Sequence, residues 1–204
     1  MSNMIGKVFI VDDDEAVRNS LGMLFRSVDI ESEGFDSGDS FLHEIDNDWQ
    51  GCIVLDIRMP GTSGLEVQKL LQERGNTLPI IFITGHGDVP MAVEAMQLGA
   101  FDFVQKPFRD QELMDRVTQA LSQNEEQQEA TLQKRQAFDN FELLTPREKE
   151  VMEHVVKGRA NKVIAMDLGV SQRTVEIHRA RVMDKMQARS LASLVRMAML
   201  LDED

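Results

Sequence analysis

Residues 7–13 read KVFIVDD: a lysine, then four apolar residues, then two adjacent acids. A short apolar run without alternation is typical of a strand buried on both faces of a parallel sheet. Similar runs, rich in β-branched and aromatic residues, recur at 30–35, 52–55, 80–83 and 101–104. Amphipathic stretches of helical length, such as 16–27 and 65–73, separate them. Five strands that alternate with helices predict an α/β fold with a doubly wound, five-stranded parallel sheet.

The chain changes character after residue 121. Residues 122–143 are rich in Gln and Glu, contain no Gly or Pro, and continue a helical pattern that begins at Asp110. We expect one long helix that runs out of the first domain, although its apolar repeat is too weak to predict a coiled coil. Residues 144–204 show only helical patterns. The predicted division is therefore a first domain over 1–121, a helical linker over 122–143 and an all-α domain over 144–204.

Start and stop signals divide the last segment into four helices. The first begins with TPRE at 145–148, where threonine is the N-cap, proline takes the first helical position and glutamate closes a capping box. Glycines end the first two helices, and a third and a fourth helix are predicted over 171–186 and 191–200. Two helices joined by a tight turn that contains glycine predict a helix-turn-helix.

The net charge of −13 is distributed unevenly. Residues 1–121 hold 9 Lys/Arg and 21 Asp/Glu (−12), residues 122–143 hold 2 and 5 (−3), and residues 144–204 hold 11 and 9 (+2). An acidic first domain and a basic last domain predict different partners, and the basic domain is compatible with nucleic acid despite the acidic average.

The remaining bulk features exclude several classes of protein. The single cysteine, Cys52, excludes an intramolecular disulfide and a zinc cluster made of cysteines. No apolar run approaches the ~20 residues that a membrane span requires, and the first residues lack the pattern of a signal peptide. We therefore predict a cytoplasmic protein with no membrane partner.

Polar residues follow four of the predicted strands. They are Asp12 and Asp13 after the first strand, Asp56 at the end of the third, Thr84 after the fourth and Lys106 after the fifth. Because ligands of doubly wound folds bind at the carboxyl ends of the strands, we expect these side chains to converge. Crowded carboxylates repel one another and need a cation, and oxygen ligands with room for water suit Mg²⁺.

A phosphoryl group entering this pocket would give each residue a role. Asp56 would attack phosphorus as the nucleophile. Mg²⁺, the Lys106 ammonium and the Thr84 hydroxyl would neutralise the phosphoryl oxygens. The pattern therefore predicts phosphorylation of Asp56.

Three segments resemble the receiver domain of two-component response regulators: VFIVDDDEAVRNSL (8–21), LDIRMPGTSG (55–64) and FITGHGDVPMAVEAMQLGAFDFVQKPF (82–108). The resemblance implies a flavodoxin-like fold and phosphorylation by a sensor histidine kinase. It also implies a site in which Asp12 and Asp13 are the acidic pair, and Mg²⁺ is held by Asp13, Asp56 and the backbone carbonyl of Arg58.

The same resemblance assigns three further residues. Thr84 and Phe103 would form a switch pair, and Lys106 would be the phosphate-binding lysine. The Lys106–Pro107 peptide bond would be cis, as is usual in receivers.

The last domain resembles a second family. The segment LTPREKEVMEHVVKGRANKVIAMDLGVSQRTVEIHRARVMDKM (144–186) resembles the LuxR/NarL-type DNA-binding domain, and RTVEIHRARVMDKM with SLASLVRMAML (190–200) resembles the FixJ subgroup. Together the resemblances imply a transcriptional regulator that dimerises when phosphorylated and binds double-stranded promoter DNA. RNA polymerase is an expected further partner.

The third helix of this domain is the predicted recognition helix. Val175, Val182 and Met186 have the spacing of an inward face, and the opposite face would enter the major groove. The residues predicted to contact bases are Arg173, Glu176, Ile177, Ala180 and Arg181. The residues predicted to contact phosphates are Lys162, Gln172, Thr174, Arg179 and Lys185.

The chemistry of the groove face suggests which base each side chain suits. Arg173 or Arg181 would suit guanine, Glu176 would accept from cytosine, and Ile177 would contact a thymine methyl. Many members of the family carry Lys where Glu176 stands. No target sequence is therefore predicted.

Two alternatives compete with this interpretation. An Asp nucleophile with Mg²⁺ in a parallel α/β fold also describes haloacid-dehalogenase-type phosphatases, which use a second Asp two positions later as the acid/base. Arg58 occupies that position here, so the proton donor is missing and we predict no enzyme activity. A regulator that works without phosphorylation is the second alternative, and the complete acidic site disfavours it.

Overall fold

The computed structural model describes residues 6–85 and 89–202. The chain forms two compact units, Met1–Gln127 and Gln128–Asp204, and the division falls inside one long helix. Asn124, in the predicted linker, accepts a hydrogen bond of 2.9 Å from the Gly51 amide, so contacts of the first unit extend beyond residue 121. The boundaries at 121 and 143 stay predictions.

The first unit alternates strands and helices, as predicted. The strands are β1 (Lys7–Val11), β2 (Glu31–Phe35), β3 (Gly51–Asp56), β4 (Ile80–Thr84) and β5 (Asp102–Gln105). The helices are α1 (Glu15–Arg26), α2 (Gly38–Glu44), α3 (Gly64–Glu73), α4 (Val89–Gln97) and α5 (Asp110–Glu142), the last of which continues into the second unit. All strand pairs are parallel, in the order β2-β1-β3-β4-β5. This is the doubly wound order of a flavodoxin-like fold, so the predicted fold class is confirmed.

The three central strands, β1, β3 and β4, are mostly apolar because helices cover both faces of the sheet, whereas the edge strands β2 and β5 also carry exposed polar residues. Successive side chains of a strand point to opposite faces. Phe9 and Val11 pack with α2, α3 and α4 in one core, whereas Val8 and Ile10 pack with α1 and α5 in the other. Cys52 is fully buried in the second core, where burial raises the pKa of its thiol.

Two helix starts place residues beside the carboxyl edge of the sheet. Asp14 is the N-cap of α1, and its side chain accepts from the Ala16 amide. Ser63 begins α3 with a capping box. A Cβ on Gly64 would collide with the carbonyl oxygen of Asp56, so only glycine lets α3 begin this close to the end of β3.

The second unit contains the end of α5 and four further helices in its described part. They are α6 (Pro146–Val156), α7 (Asn161–Leu168), α8 (Gln172–Lys185) and α9 (Leu191–Leu201). The capping box of Thr145 opens α6, and Gly169, with φ of 66°, ends α7, as predicted. Val175, Val182 and Met186 are completely buried, which confirms the predicted inward face of α8. Within the described ranges, no helix has the length and hydropathy needed to cross a membrane.

Candidate functional site

The carboxyl ends of β1, β3 and β5 bring Asp12, Asp56 and Lys106 into contact. The Lys106 Nζ lies 2.9 Å from Asp12 Oδ2 and 2.7 Å from Asp56 Oδ2. The second oxygen of each carboxylate accepts a backbone N–H, from Asp14 to Asp12 and from Arg58 to Asp56, both at 2.9 Å. Each carboxylate is therefore held by two donors, which fixes its orientation.

Burial differs sharply among these three groups. The side chain of Asp12 is 2% exposed, that of Asp56 14% and that of Lys106 30%. Burial raises the pKa of Asp12, despite the hydrogen bonds from Lys106 and the Asp14 amide. Burial would lower the pKa of Lys106, but the bonds to Asp56 and Asp12 outweigh it and raise the pKa. The ammonium form is thus the stable state of Lys106 between the two acids.

Asp13 completes a cluster that fits a divalent cation. One ligand oxygen from each of Asp12, Asp13 and Asp56 lies within 4.8 Å of the others. Three carboxylates against one ammonium leave excess negative charge, and hard oxygen donors are the ligands that Mg²⁺ prefers. Asp13 is exposed, which leaves the cluster open toward solvent for water ligands. The residues present therefore fit the predicted ion, while the role of the Arg58 carbonyl stays a prediction.

Thr84 and Phe103 lie on neighbouring strands and point to the same side of the sheet. Their strand neighbours Ile83 and Val104 belong to the core beside α1 and α5, so both side chains face the side of α4. Thr84 is 3% exposed and Phe103 is 37% exposed. Thr84 is thus enclosed at the carboxyl end of β4, whereas Phe103 is partly exposed to solvent. The Lys106–Pro107 bond is cis, as predicted.

The predicted groove face of α8 is exposed in the second unit. All five residues predicted to contact bases are exposed: Arg173, Glu176, Ile177, Ala180 and Arg181. Ile177 is 47% exposed and so presents an apolar side chain on this face. The arrangement suits insertion into a groove, and the individual contacts stay predictions.

Four of the five residues predicted to contact phosphates divide into two groups. Lys162 and Gln172 are exposed, and Gln172 donates to Glu176 Oε1 at 3.2 Å. Thr174 and Arg179 are partly buried and contribute to local structure. The Thr174 hydroxyl lies 2.8 Å from that of the N-cap Ser171. Arg179 Nη1 donates to Asn161 Oδ1 at 3.2 Å and so connects α8 to the start of α7.

Lys185, the fifth residue predicted to contact phosphates, makes two contacts within its own domain. Its Nζ lies 2.7 Å from Glu148 Oε2 and donates to the Leu143 carbonyl at 3.0 Å. The side chain of Glu148 is only 2% exposed. Burial would raise the pKa of Glu148, but hydrogen bonds from Lys185 and from the Thr145 amide and hydroxyl outweigh it and lower the pKa to about 2. Lys185 is therefore engaged inside its own domain in this structure, and its phosphate contact stays a prediction.

Other contacts of the sites were not predicted from the sequence. Arg18 Nη1 donates to the Asp12 carbonyl at 2.7 Å and holds the end of β1 against α1. Nothing in the sequence signals this bond, because the arginine occupies an ordinary polar position of an amphipathic helix. The Glu148–Lys185 pair was missed for a similar reason, since its members are far apart in sequence.

The fold, the acidic pocket and the helical second unit define the class of protein. Residues 8–118 match the family described as response regulator receiver domain. Residues 142–198 match the family described as bacterial regulatory proteins, luxR family. The chain therefore belongs to the response regulators and joins a receiver domain to a LuxR-family DNA-binding domain, which confirms both resemblances.

Individual relatives match along nearly the whole chain. Nodulation protein W of Bradyrhizobium diazoefficiens is 49% identical over 191 residues, which is 94% of this chain and 84% of the relative. The transcriptional regulatory protein FixJ of Azorhizobium caulinodans is 48% identical over 193 residues, covering 95% and 92%. Among solved structures, the response regulator StyR (44% identity, TM-score 0.85) covers 95% of this chain and 98% of its own. Full-length FixJ from B. japonicum (41% identity, TM-score 0.60) covers 97% and 98%.

Proposed function

We propose that this response regulator is activated by transfer of a phosphoryl group to Asp56 from a partner sensor histidine kinase. The observation that carries the proposal is the position of Lys106, which contacts Asp12 and Asp56 at once at the mouth of a three-carboxylate cluster. An ammonium in this place can bind an oxygen of a phosphoryl group attached to Asp56.

Each residue of the pocket has a part in the proposed transfer. An oxygen of Asp56 attacks phosphorus, the new P–O bond forms as the bond to the donor group breaks, and the donor leaves with the electron pair. Mg²⁺ would bind in the site formed by Asp12, Asp13, Asp56 and Arg58, with Asp13, Asp56 and the Arg58 carbonyl as its ligands, and when bound it would supply positive charge at the phosphoryl oxygens. Lys106 then turns from the carboxylates to the transferred group.

The partners of the second domain form the next part of the proposal. The exposed face of α8 enters the major groove of double-stranded promoter DNA, with Arg173, Glu176, Ile177, Ala180 and Arg181 toward the bases. Phosphorylation promotes a homodimer, and RNA polymerase is a further partner of the DNA-bound form. The name transcriptional regulatory protein, which a relative carries, supports a role in the regulation of transcription. The proposed domains are 1–121, 122–143 and 144–204, and the proposed location is the cytoplasm.

The pocket is proposed to accept a phosphoryl group without acting as a turnover enzyme. The second residue after Asp56 is Arg58, which cannot serve as the acid/base of a phosphatase of the Asp-x-Asp type. We therefore assign the acidic cluster to phosphorylation of the protein itself.

Incubation with acetyl phosphate and Mg²⁺ tests the assignment of Asp56. Intact-mass spectrometry is expected to show one phosphoryl adduct on the wild-type chain and none on Asp56→Asn. Asp48→Asn, which alters an exposed loop carboxylate, is the matched control and is expected to keep the adduct. An adduct of equal yield on Asp56→Asn would show that another residue is the acceptor.

A further inference from the structure

Arg18 on α1 holds the backbone on both sides of Asp13. Its Nη1 donates to the carbonyl of Asp12 at 2.7 Å, and its backbone N–H donates to the carbonyl of Asp14 at 3.1 Å. Asp13 lies between these two carbonyls, after the end of β1 and before the start of α1. It is also the exposed member of the three-carboxylate cluster. Because packing restrains an exposed residue only weakly, the hydrogen bonds to its neighbours have the larger part in placing it.

The bond from Arg18 to the Asp12 carbonyl fixes more than the end of β1. The carbonyl group of Asp12, the amide group of Asp13 and the Cα atoms of both residues lie in one peptide plane. A donor that fixes the direction of this carbonyl therefore also fixes the direction in which the chain continues at Asp13. The N–H of Asp12 donates to the carbonyl of Phe35 at 3.2 Å. The residue before Asp13 is thus held at both of its backbone polar groups.

Gly34 on β2 leaves room for the arginine to reach this carbonyl. A Cβ atom on Gly34 would lie 3.6 Å from Arg18 Cδ and 3.9 Å from Arg18 Cβ, so even one added carbon would touch the stem of the arginine. Arg18 is half-buried, whereas the other polar residues of α1 are exposed. The arginine is therefore held along its stem as well as at its guanidinium, and its donor points toward the end of β1.

We propose that Arg18 is a positioning residue for the Mg²⁺ site: by holding the Asp12–Asp13 peptide, it places the carboxylate of Asp13 where it can bind the ion together with Asp56. This inference rests on the Mg²⁺ site proposed above. The charge of Arg18 has the opposite effect, because a guanidinium repels a divalent cation. Loss of positioning and loss of charge therefore change the Mg²⁺ affinity in opposite directions, and the sign of the change distinguishes them.

Titration of the full-length protein with Mg²⁺ alone measures this affinity through the backbone amide NMR signals of residues 12–14 and 56–58. Arg18→Met removes the donor and the charge but keeps an unbranched apolar stem. It is expected to weaken Mg²⁺ binding about tenfold, the lower end of the losses found when groups that hold metal ligands in place are removed. Arg26→Met removes the same charge from an exposed position in the last turn of α1 and is expected to bind Mg²⁺ like wild type.

The Mg²⁺ dependence of phosphorylation by acetyl phosphate, followed by intact mass, is the second measurement. In Arg18→Met the Mg²⁺ concentration that gives half of the maximal rate should rise about tenfold. The maximal rate should stay close to that of wild type, because saturating Mg²⁺ restores the occupied site. A fall in the maximal rate would instead make Arg18 a residue that only supports the fold, and would overturn the proposal.

Two further outcomes separate this inference from the proposed function. If wild type binds Mg²⁺ and Arg18→Met binds it as tightly or more tightly, the positioning role of Arg18 is wrong while the Mg²⁺ site stands. If Mg²⁺ leaves the signals of the wild-type protein unchanged, the proposed Mg²⁺ site is wrong and the role of Arg18 fails with it.

Discussion

At the scale of single residues, Lys106 supplies a positive charge to the acidic pocket. Its ammonium contacts one oxygen of Asp12 and one of Asp56, and its pKa is raised by both. A phosphoryl group on Asp56 offers this ammonium stronger acceptors than the carboxylates do. The exchange of partners at Lys106 is therefore the first structural consequence of phosphorylation in our proposal.

Thr84→Ala is predicted to leave phosphorylation intact but to reduce the gain in DNA affinity that phosphorylation causes. The hydroxyl of Thr84 is enclosed at the end of β4, while the Phe103 ring on β5 is 37% exposed and can turn inward when the threonine moves toward the phosphoryl oxygens. The variant should accept phosphate from acetyl phosphate in wild-type yield, measured by intact mass. Its gain in DNA affinity on phosphorylation should be at most a third of the wild-type gain.

Thr84→Ser keeps the hydroxyl and is the control for that experiment. On phosphorylation it is expected to gain as much DNA affinity as the wild-type protein does. If Thr84→Ala gains as much DNA affinity as wild type, the hydroxyl has no part in the switch.

The ion pair between buried Glu148 and partly exposed Lys185 predicts a pH dependence of stability in the second domain. The pKa of Glu148 is lowered from an ordinary 4.5 to about 2 in the folded state. A lowered folded pKa means that its stabilisation is complete above the unfolded pKa and is lost as the pH falls toward the folded value. Glu148→Gln should therefore cost about 1–3 kcal/mol near neutral pH. The difference from wild type should shrink between pH 4.5 and about 2.

Urea unfolding, followed by NMR signals of α6 and α8 in the full-length protein, measures this difference. Glu153→Gln, on the exposed side of the same helix, is the control and should show little change at any pH. A constant difference between Glu148→Gln and wild type from neutral to acid pH would contradict the assigned pairing.

At the scale of elements, local sequence signals predicted most of the fold and part of the sites. Apolar runs predicted the central strands because the sheet buries both of their faces. The capping box at Thr145 and the glycine at 169 predicted helix ends because these signals act within a few residues. The convergence of Asp12, Asp56 and Lys106 followed from topology, since strand ends of a parallel sheet share one edge.

Local sequence signals could not predict contacts between residues that are far apart in the sequence. Lys185 occupies a basic position in the last turn of α8 that is equally compatible with solvent, DNA or a buried partner. Only the packing of α6 against α8 selects Glu148, which is 37 residues away. Gln68 is similar, because its burial depends on the end of α4 rather than on its own helix.

The recognition helix leads to a prediction about DNA. We propose that the exposed Arg173 reads a base edge, so Arg173→Ala should weaken binding to a duplex selected by the wild-type protein by about 1–3 kcal/mol. Fluorescence anisotropy at several salt concentrations is the measurement, since phosphate contacts make affinity fall with salt. Lys157→Ala removes the same charge outside α8 and should have a smaller effect. Equal losses for both variants would mean that Arg173 contributes only charge.

At the scale of the whole molecule, the two domains carry opposite charge. The residues up to 121 carry −12 and those from 144 carry +2, and we propose that this acidic receiver repels DNA and attracts the basic domain. Moving a two-state equilibrium from 1:99 to 99:1 requires about 5.5 kcal/mol. Hydrogen bonds to a charged group contribute roughly 1.5–3 kcal/mol each. Two or three new bonds to the phosphoryl group, at Lys106, Thr84 and neighbouring donors, would have to form together.

The helix α5 gives the two domains a common element. It begins four residues after Lys106 and contributes residues to both compact units. A change beside Lys106 can therefore reach the DNA-binding domain along the chain. We propose that phosphorylation releases this domain and promotes dimerisation, which light scattering can follow.

The most direct test of this account measures DNA affinity by fluorescence anisotropy with and without acetyl phosphate and Mg²⁺, on wild type and on Asp56→Asn. We predict that phosphorylation raises the affinity of the wild-type protein at least tenfold and leaves that of Asp56→Asn unchanged. Equal affinity of the wild-type protein in both states, at a phosphoryl occupancy verified by intact mass, would contradict the proposed coupling between Asp56 and the DNA-binding domain.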